Sequence, residues 1–333
     1  MSEVFAFGVG HANYSATGKV LDCFFAQPVI HPDKDFVAVV NRFPNGTSEI
    51  TTDAAAAANQ ATGGRLFPDA LLEADQPLVV VKLATDGAIT DTAQAYLKLH
   101  LLSHRLTLPN TLNLDGIFAH LPNLAWTSQG PVELESLTEQ ILKSRLQGRH
   151  LEVMSLDKFP KMVNYVMPTG VRIADASRIR LGAYLGEGTT VMHEGFVNFN
   201  AGAMGPNMVE GRISQGVIID SDTDLGGSSS TMGTLSGGGE ITIRIGKSCL
   251  IGANAGTGIP LGDRCTIEAG LYITAGTVVT VQDEDGKTLQ NIKARDLAGA
   301  SDLLFIRNSQ TGQVLCRTNR QAIALNKNLH AHN

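Results

Sequence analysis

Between residues 173 and 279 an aliphatic or small residue returns every six positions. Ile173, Ile179, Leu185, Val191, Val197, Ala203 and Val209 keep this frame without a break. After Val209 the frame slips by four residues and resumes at Ile219, Leu225 and Thr231. It then crosses a Gly-rich insertion and returns at Ile245 and Ile251, and a second four-residue slip restores Leu261, Ile267, Ile273 and Val279. A period of six fits neither the 3.6 of an amphipathic helix nor the alternation of an ordinary strand. It fits a solenoid whose hexads each form one flat side of a coil, with the periodic residue pointing inward onto its equivalent in the next coil. Glycine follows that position at Gly186, Gly226, Gly246, Gly252 and Gly262. The expectation is that these glycines turn the corners, because only glycine takes positive φ at no steric cost. The pattern predicts a parallel β-helix over residues 165–282.

Other periods flank the repeat. Residues 1–164 mix short apolar, β-rich runs at 4–7, 20–25, 36–40 and 78–83 with helical patterns at 51–61, 90–106 and 134–146. Asp53 lies near the start of the first helix, and Thr90 or Asp91 is placed to cap the second. Such mixing predicts a compact α/β domain. Residues 283–333 form a C-terminal segment. Its charged turn at 282–287 reads as a hairpin tip, 303–307 as a strand and 321–326 as a short helix.

At 333 residues the chain can bury a large core. Its formal charge of −6 argues against a nucleic-acid partner, so an anionic ligand must be met by local positive sites. Residues 1–164 hold 12 basic and 17 acidic side chains, which leaves the repeat half close to neutral. Cys23, Cys249, Cys265 and Cys316 show no metal or redox spacing and read as reduced core thiols. With no signal-peptide pattern and no apolar run long enough for a bilayer, the expectation is a cytoplasmic protein without a membrane partner.

Few motifs carry chemistry. Gly8-Val9-Gly10 supplies half of a dinucleotide fingerprint but lacks the third glycine and the βαβ unit. His100 and His104 stand one helical turn apart without a third metal ligand, and read as a solvated or core-edge helix face. The informative cluster is Met192 to Ser214, just before the first slip. Glu210 and Arg212 are two residues apart, so in a strand they share a face and form a carboxylate–guanidinium pair. The run from Gly226 to Gly239 can be a flexible loop, or can offer N–H groups and hydroxyls to an oxyanion.

Hexads of this kind resemble the left-handed β-helix of the hexapeptide-repeat acyltransferases, in which three hexads complete a coil. The strings MHEGFVNFNAG (192–202), VEGRIS (209–214), GTLSGGG (233–239), IGANAGTGIPLGD (251–263), EAGLY (268–272), IKARDL (292–297) and LLFIRNS (303–309) are more specific still. Together they resemble the tetrahydrodipicolinate N-succinyltransferase family in its longer form, with an α/β N-terminal domain. The resemblance implies transfer of succinyl from succinyl-CoA, as co-substrate, to the amine of ring-opened tetrahydrodipicolinate in diaminopimelate and lysine biosynthesis. It implies a homotrimer with sites between neighbouring β-helices. It makes Glu210 the catalytic residue, described in the family as forming an acyl-anhydride. It also places Arg212, Gly227, Ser230, Ala253, Glu268, Ala269, Gly276, Lys293 and the segment Ile306, Arg307, Asn308, Ser309 in contact with succinyl-CoA or the acceptor.

Some members of that family hold a divalent ion, such as Mg2+, near the trimer axis through an Asp and a Glu. Glu194 matches the Glu, whereas Ser177 stands in place of the Asp and is a poor ligand for a hard cation. No cofactor is therefore expected to be required, and any metal at Glu194 would be structural. His193, alone in the repeat, is expected to orient or pack, with Glu210 acting as nucleophile or as general base. A single histidine in the coils argues against a zinc-dependent carbonic anhydrase of the same fold. An acetyl-CoA-dependent relative and a non-catalytic scaffold are the remaining alternatives.

Overall fold

The computed structural model describes residues 4–236 and 241–318. The expected helix at 321–326, the C-terminal histidines and the end of the GTLSGGG string lie outside the described residues. The chain divides into two compact units, one comprising residues 1–107, 111–160 and 164–166, the other residues 108–110, 161–163 and 167–333.

The first unit is built on an antiparallel sheet in the order Val20–Phe24, Ala6–Tyr14, Leu78–Leu83, Gly46–Ile50, with Val29–Ile30 also pairing with the second of these strands. Leu78–Leu83 is buried along its whole length, which is why its run of apolar residues lacks alternation. The glycines of Gly8-Val9-Gly10 lie mid-strand. A Cβ on Gly8 would meet Leu97 and Phe25 side chains, each at 2.8 Å, so their role is close packing. A second sheet pairs Leu124–Thr127 with Gly130–Glu133 and Val153–Asp157.

The helices at Thr52–Ala61 and Leu134–Leu146 match their patterns. The helix at Thr92–Ser103 is capped by Asp91, whose Oδ1 accepts from the Gln94 N–H at 2.9 Å. Residues 36–40, expected as a strand, belong to a helix instead, Lys34–Val40. The Asp33 carboxylate caps it by accepting from the Phe36 N–H at 2.8 Å, and Phe36 and Val40, four apart, both enter the core. A five-residue apolar run does not by itself tell a buried strand from one helical turn.

His100 and His104 are not on a solvated face. His100 is fully buried, and the backbone settles its tautomer: the Phe25 N–H can only donate, at 3.2 Å to Nε2, so Nδ1–H donates to the Tyr96 carbonyl at 2.7 Å. Burial depresses its pKa to about 3, and burial also lowers that of His104.

The second unit is the β-helix. Three parallel faces stack coil on coil. The first holds Tyr184–Leu185, Gly202–Ala203, Ile218–Ile219 and Arg244–Ile245. The second runs through Arg172–Ile173, Thr189–Val191, Asn207–Val209, Asp224–Leu225, Leu250–Ile251 and Thr266–Ile267. The third holds Phe196–Val197, Arg212–Ile213, Ser230–Thr231, Gly256–Thr257 and Tyr272–Ile273. This is the left-handed parallel β-helix that follows an α/β domain. Leu303–Arg307 pairs in parallel with Thr266–Ile267 and continues the second face, followed by Val314–Thr318 and the hairpin of Val278–Gln282 with Thr288–Lys293. The hairpin tip falls at the charged turn.

Every periodic residue from Ile179 to Val279 is at most 3% exposed. The two slips are corners shortened by two residues: Ile213 follows Val209 after four positions, Leu261 follows Thr257 after four, and all four of these side chains point inward. The glycines after the periodic residue act differently from expectation, since none of the five has positive φ. They are required because the next coil passes so close: a Cβ would lie 2.0 Å from Met204 O at Gly186, 2.7 Å from Ala253 N at Gly226 and 2.5 Å from Ala269 N at Gly252. Left-handed backbone falls instead on residues such as Asn200, Ser228, Asn254 and Gly270. All four cysteines are free and buried.

The buried neutral His100 makes the first unit acid-sensitive. Its folded-state pKa lies below the unfolded value of 6.5, so its stabilising contribution is complete above pH 6.5 and is lost as pH falls towards about 3. Each titrating histidine costs ~1.4 kcal/mol per pH unit. Trp126, the only tryptophan, is buried in this unit and reports on it. Its fluorescence in denaturant titrations should show stability falling between pH 6.5 and 5, with a shallower slope in His100→Gln; an equal slope would contradict this assignment.

Candidate active site

One corner of the prism, between the second and third faces, gathers most of the residues expected to act. The register Val209, Leu225, Ile251, Ile267, Phe305 sets the following residues above one another: Glu210, Gly226, Gly252, Glu268, Ile306. Their backbones are tied coil to coil. The Glu210 N–H donates to Leu225 O at 2.8 Å, Gly226 to Ile251 O at 2.7 Å, Gly252 to Ile267 O at 2.9 Å and Glu268 to Phe305 O at 2.9 Å. Gly227, Ala253, Ala269 and Arg307 come next in the chain and form the neighbouring row.

Glu210 and Glu268 therefore bracket a shallow trough whose residues in between are glycine and alanine, Gly226, Gly227, Gly252 and Ala253. Three coil spacings separate them, roughly 14 Å at about 4.8 Å per strand. Glu268 closes its end by accepting the Arg307 N–H on Oε2 at 2.7 Å, which fixes the 306–309 segment. Asn308 Oδ1 then accepts from the Gln310 and Thr311 N–H groups and turns the chain.

Glu210 owes its position to the first shortened corner. On the next three coils a left-handed residue rounds this corner, at Ser228, Asn254 and Gly270, and donates to Glu210 O, Gly227 O and Ala253 O. The Glu210 coil has no such residue and crosses directly through Gly211. A Cβ on Gly211 would lie 2.1 Å from Ser229 Oγ and 2.7 Å from Ser229 O, so glycine is the residue that lets the chain cut in here. The strand before Glu210 ends at Val209 and the next begins at Arg212. The shared strand face expected for Glu210 and Arg212 is thus broken by the corner, and the two form no ion pair among the described residues. Arg212 Nη2 donates instead to Ser230 Oγ at 2.6 Å, one coil away on the third face.

Gly276 and Lys293 are not on this corner. Gly276 lies in the turn after the third face, and Lys293 ends the strand paired with Val278, with the Ala294 N–H donating to Thr277 O. Both are exposed. His193 and Glu194 occupy the coil before Glu210, His193 Nε2 lying 2.9 Å from Glu194 Oε1. Ser177 is committed to Asp175, donating to Oδ1 at 2.6 Å. Serine is a poor ligand for a hard cation. Among the described residues no three His, Cys, Asp or Glu side chains gather to hold a metal.

Residues 242–275 match the hexapeptide repeat of succinyl-transferases, and residues 121–161 match the tetrahydrodipicolinate N-succinyltransferase middle region. The chain is 56% identical to the 2,3,4,5-tetrahydropyridine-2,6-dicarboxylate N-succinyltransferase of Pseudomonas putida, over 98% of each chain. The corresponding protein of Vibrio cholerae is 51% identical over 99% of each. The chain belongs to the tetrahydrodipicolinate N-succinyltransferase family. Among solved structures, a Campylobacter jejuni protein described as a 2,3,4,5-tetrahydropyridine-2-carboxylate N-succinyltransferase superposes with a TM-score of 0.87 at 29% identity, covering 97% of this chain and 94% of that one.

In this succinyltransferase, Gly211 is the residue that sequence reasoning passed over, although the four-residue slip beside it was the signal. Gly211→Ala should force the corner outward and move Glu210 by about an ångström. A misplacement of that size costs about 100-fold in rate, and the overpacked contact about 1–3 kcal/mol. Steady-state kinetics together with thermal denaturation would show both losses; a variant with unchanged kcat would mean that the short corner does not position Glu210.

Proposed function

We propose that this chain transfers the succinyl group of succinyl-CoA to the amine of tetrahydrodipicolinate in its 2-amino-6-oxopimelate form, in the succinylase branch of diaminopimelate and lysine biosynthesis. The observation that carries this reading is identity above 50% along almost the entire chain with proteins named for that reaction. Such agreement spans the N-terminal unit, the coils and both shortened corners together.

Glu210 is the catalytic carboxylate. As nucleophile it attacks the thioester carbonyl, the C–S bond breaks, CoA leaves as thiolate, and the acceptor amine then takes succinyl from the anhydride. As general base it instead takes the proton of the amine during direct attack on the thioester. The trough of Gly227, Ala253 and Ala269 suits an extended, uncharged pantetheine arm, because it offers backbone polar groups and no bulky side chains. Arg212 and Ser230 supply donors for a carboxylate, Lys293 and Arg307 supply positive charge for the phosphates of CoA, and Gly276, Ile306, Asn308 and Ser309 line the remainder.

We further infer a cytoplasmic homotrimer whose sites lie between neighbouring coils. The exposure of these residues supports this: Arg212 on the third face and Ala253, Glu268 and Ala269 along the trough are all exposed on the single chain. No described helix is long and apolar enough to cross a membrane. Sedimentation equilibrium should return three times the 35.3 kDa chain mass; a monomeric active enzyme would overturn the shared site.

The deciding experiment is thiol release from succinyl-CoA with and without tetrahydrodipicolinate, run beside acetyl-CoA and beside Glu210→Gln. Acceptor-dependent release is expected with succinyl-CoA, falling at least about 1,000-fold in the variant. Release with acetyl-CoA alone would replace the donor, and release with neither would leave a scaffold. Labelled CoA exchanging into succinyl-CoA without acceptor marks the anhydride route, and its absence marks direct attack.

A further inference from the structure

The third face carries a column of outward residues that the proposed site uses only in part. Parallel pairing sets Phe196, Arg212, Ser230, Gly256 and Tyr272 above one another. Arg212 Nη2 donates to Ser230 Oγ at 2.6 Å, and Ser230 Oγ lies 3.5 Å from the Tyr272 hydroxyl. Ser230 and Tyr272 are two coils apart, so their contact depends on what stands between them. That residue is Gly256, where a Cβ would lie 2.3 Å from Cε2 and 2.6 Å from Cδ2 of the Tyr272 ring. The ring therefore lies down over bare backbone and directs its hydroxyl towards Ser230 and Arg212. Any other residue at 256 would lift it away.

The donors that meet here exceed the acceptors. A guanidinium has five N–H donors, and among the described residues Arg212 has no carboxylate partner. Ser230 Oγ, having accepted from Arg212, keeps its own proton to give. The phenol, 36% exposed and at the outer limit of hydrogen-bond distance from Ser230, keeps its proton available as well. Convergent N–H and O–H donors on a solvent-facing surface fit a planar anion with several lone pairs, which is what a carboxylate offers.

We propose that Tyr272 completes a carboxylate cradle with Arg212 and Ser230 and is a specificity-determining residue of the enzyme. The inference rests on the succinyltransfer reading, in which both the acyl donor and the acceptor carry carboxylates; the cradle takes one of them, and the experiment says which. Gly256 belongs to the device as the gap that lets the ring lie flat.

Tyr272→Phe removes only the hydroxyl and keeps the packing over Gly256. The full-length wild type and this variant are titrated calorimetrically with succinyl-CoA, with butyryl-CoA, which has the same chain length without the carboxylate, and with 2-aminopimelate as a saturated acceptor analogue. Steady-state kinetics are run in parallel. The expected result is about tenfold weaker binding of either succinyl-CoA or 2-aminopimelate, the size of one charge-assisted hydrogen bond. Butyryl-CoA affinity should stay within about twofold. Unchanged affinity for both carboxylate ligands, or equal weakening for butyryl-CoA, would overturn the cradle. A wild type whose carboxylate ligand depends on Tyr272 but which transfers no succinyl would overturn the reaction and leave the cradle standing.

Discussion

Backbone pairing between successive coils is the constraint on which the second unit depends. The strands of each coil satisfy their N–H and C=O groups by lying in register on their neighbours, and the corners close with short turns such as Ser229 N–H to Gly226 O. The register fixes which residue stacks on which, and hence the inward ladder, mostly Ile, Leu and Val with Ala203, Thr231 and Thr257, that stays at most 3% exposed among the described residues from Ile179 to Val279. It also holds the coils so close that glycine is demanded wherever a side chain would strike the next backbone. Spacing between coils, more than corner curvature, explains Gly186, Gly226 and Gly252.

The same constraint makes a local departure useful. Removing two residues from one corner does not disturb the stack, since Ile213 re-enters the core and pairs onward with Val197. The shortening is confined to the corner and changes only what that corner presents. With no strand between them, Glu210 and Arg212 part: the guanidinium goes to Ser230 on the third face and makes no ion pair with Glu210 among the described residues. An ion pair would hold the carboxylate as a weaker nucleophile and occupy a donor that a substrate anion can use. Separation leaves each group available for the role proposed for it above.

Much of this was legible in the chain because the β-helix writes its geometry as a fixed period. The seven residues from Ile173 to Val209 gave the fold, and the slip after Val209 marked the corner that matters. In the sequence the slip is only a change of frame, and its content, Gly211 against Ser229 with Ile213 returning inward, needs the neighbouring coil to be visible. Gly256 and Tyr272 were opaque for the same reason: they are sixteen residues apart and become neighbours only through pairing. In the first unit the signal was weaker. The run at 36–40 suits a strand until Asp33 is seen to cap it, and His100 sits on a helix buried on nearly every face, which leaves no amphipathic stripe to read.

The placement of the proposed site at a corner accords with the physics of the solenoid. A flat face has every backbone group paired along the stack, so it can add only side chains to chemistry. A corner combines side chains with irregular backbone, and it can change length without cost to its neighbours. Glycine at Gly226 and Gly252, required by coil spacing, leaves the corner between Glu210 and Glu268 without bulky side chains. The demands of folding and of binding therefore coincide at these positions. They coincide at Gly211 as well, since that residue both clears Ser229 of the next coil and carries the short corner beside Glu210.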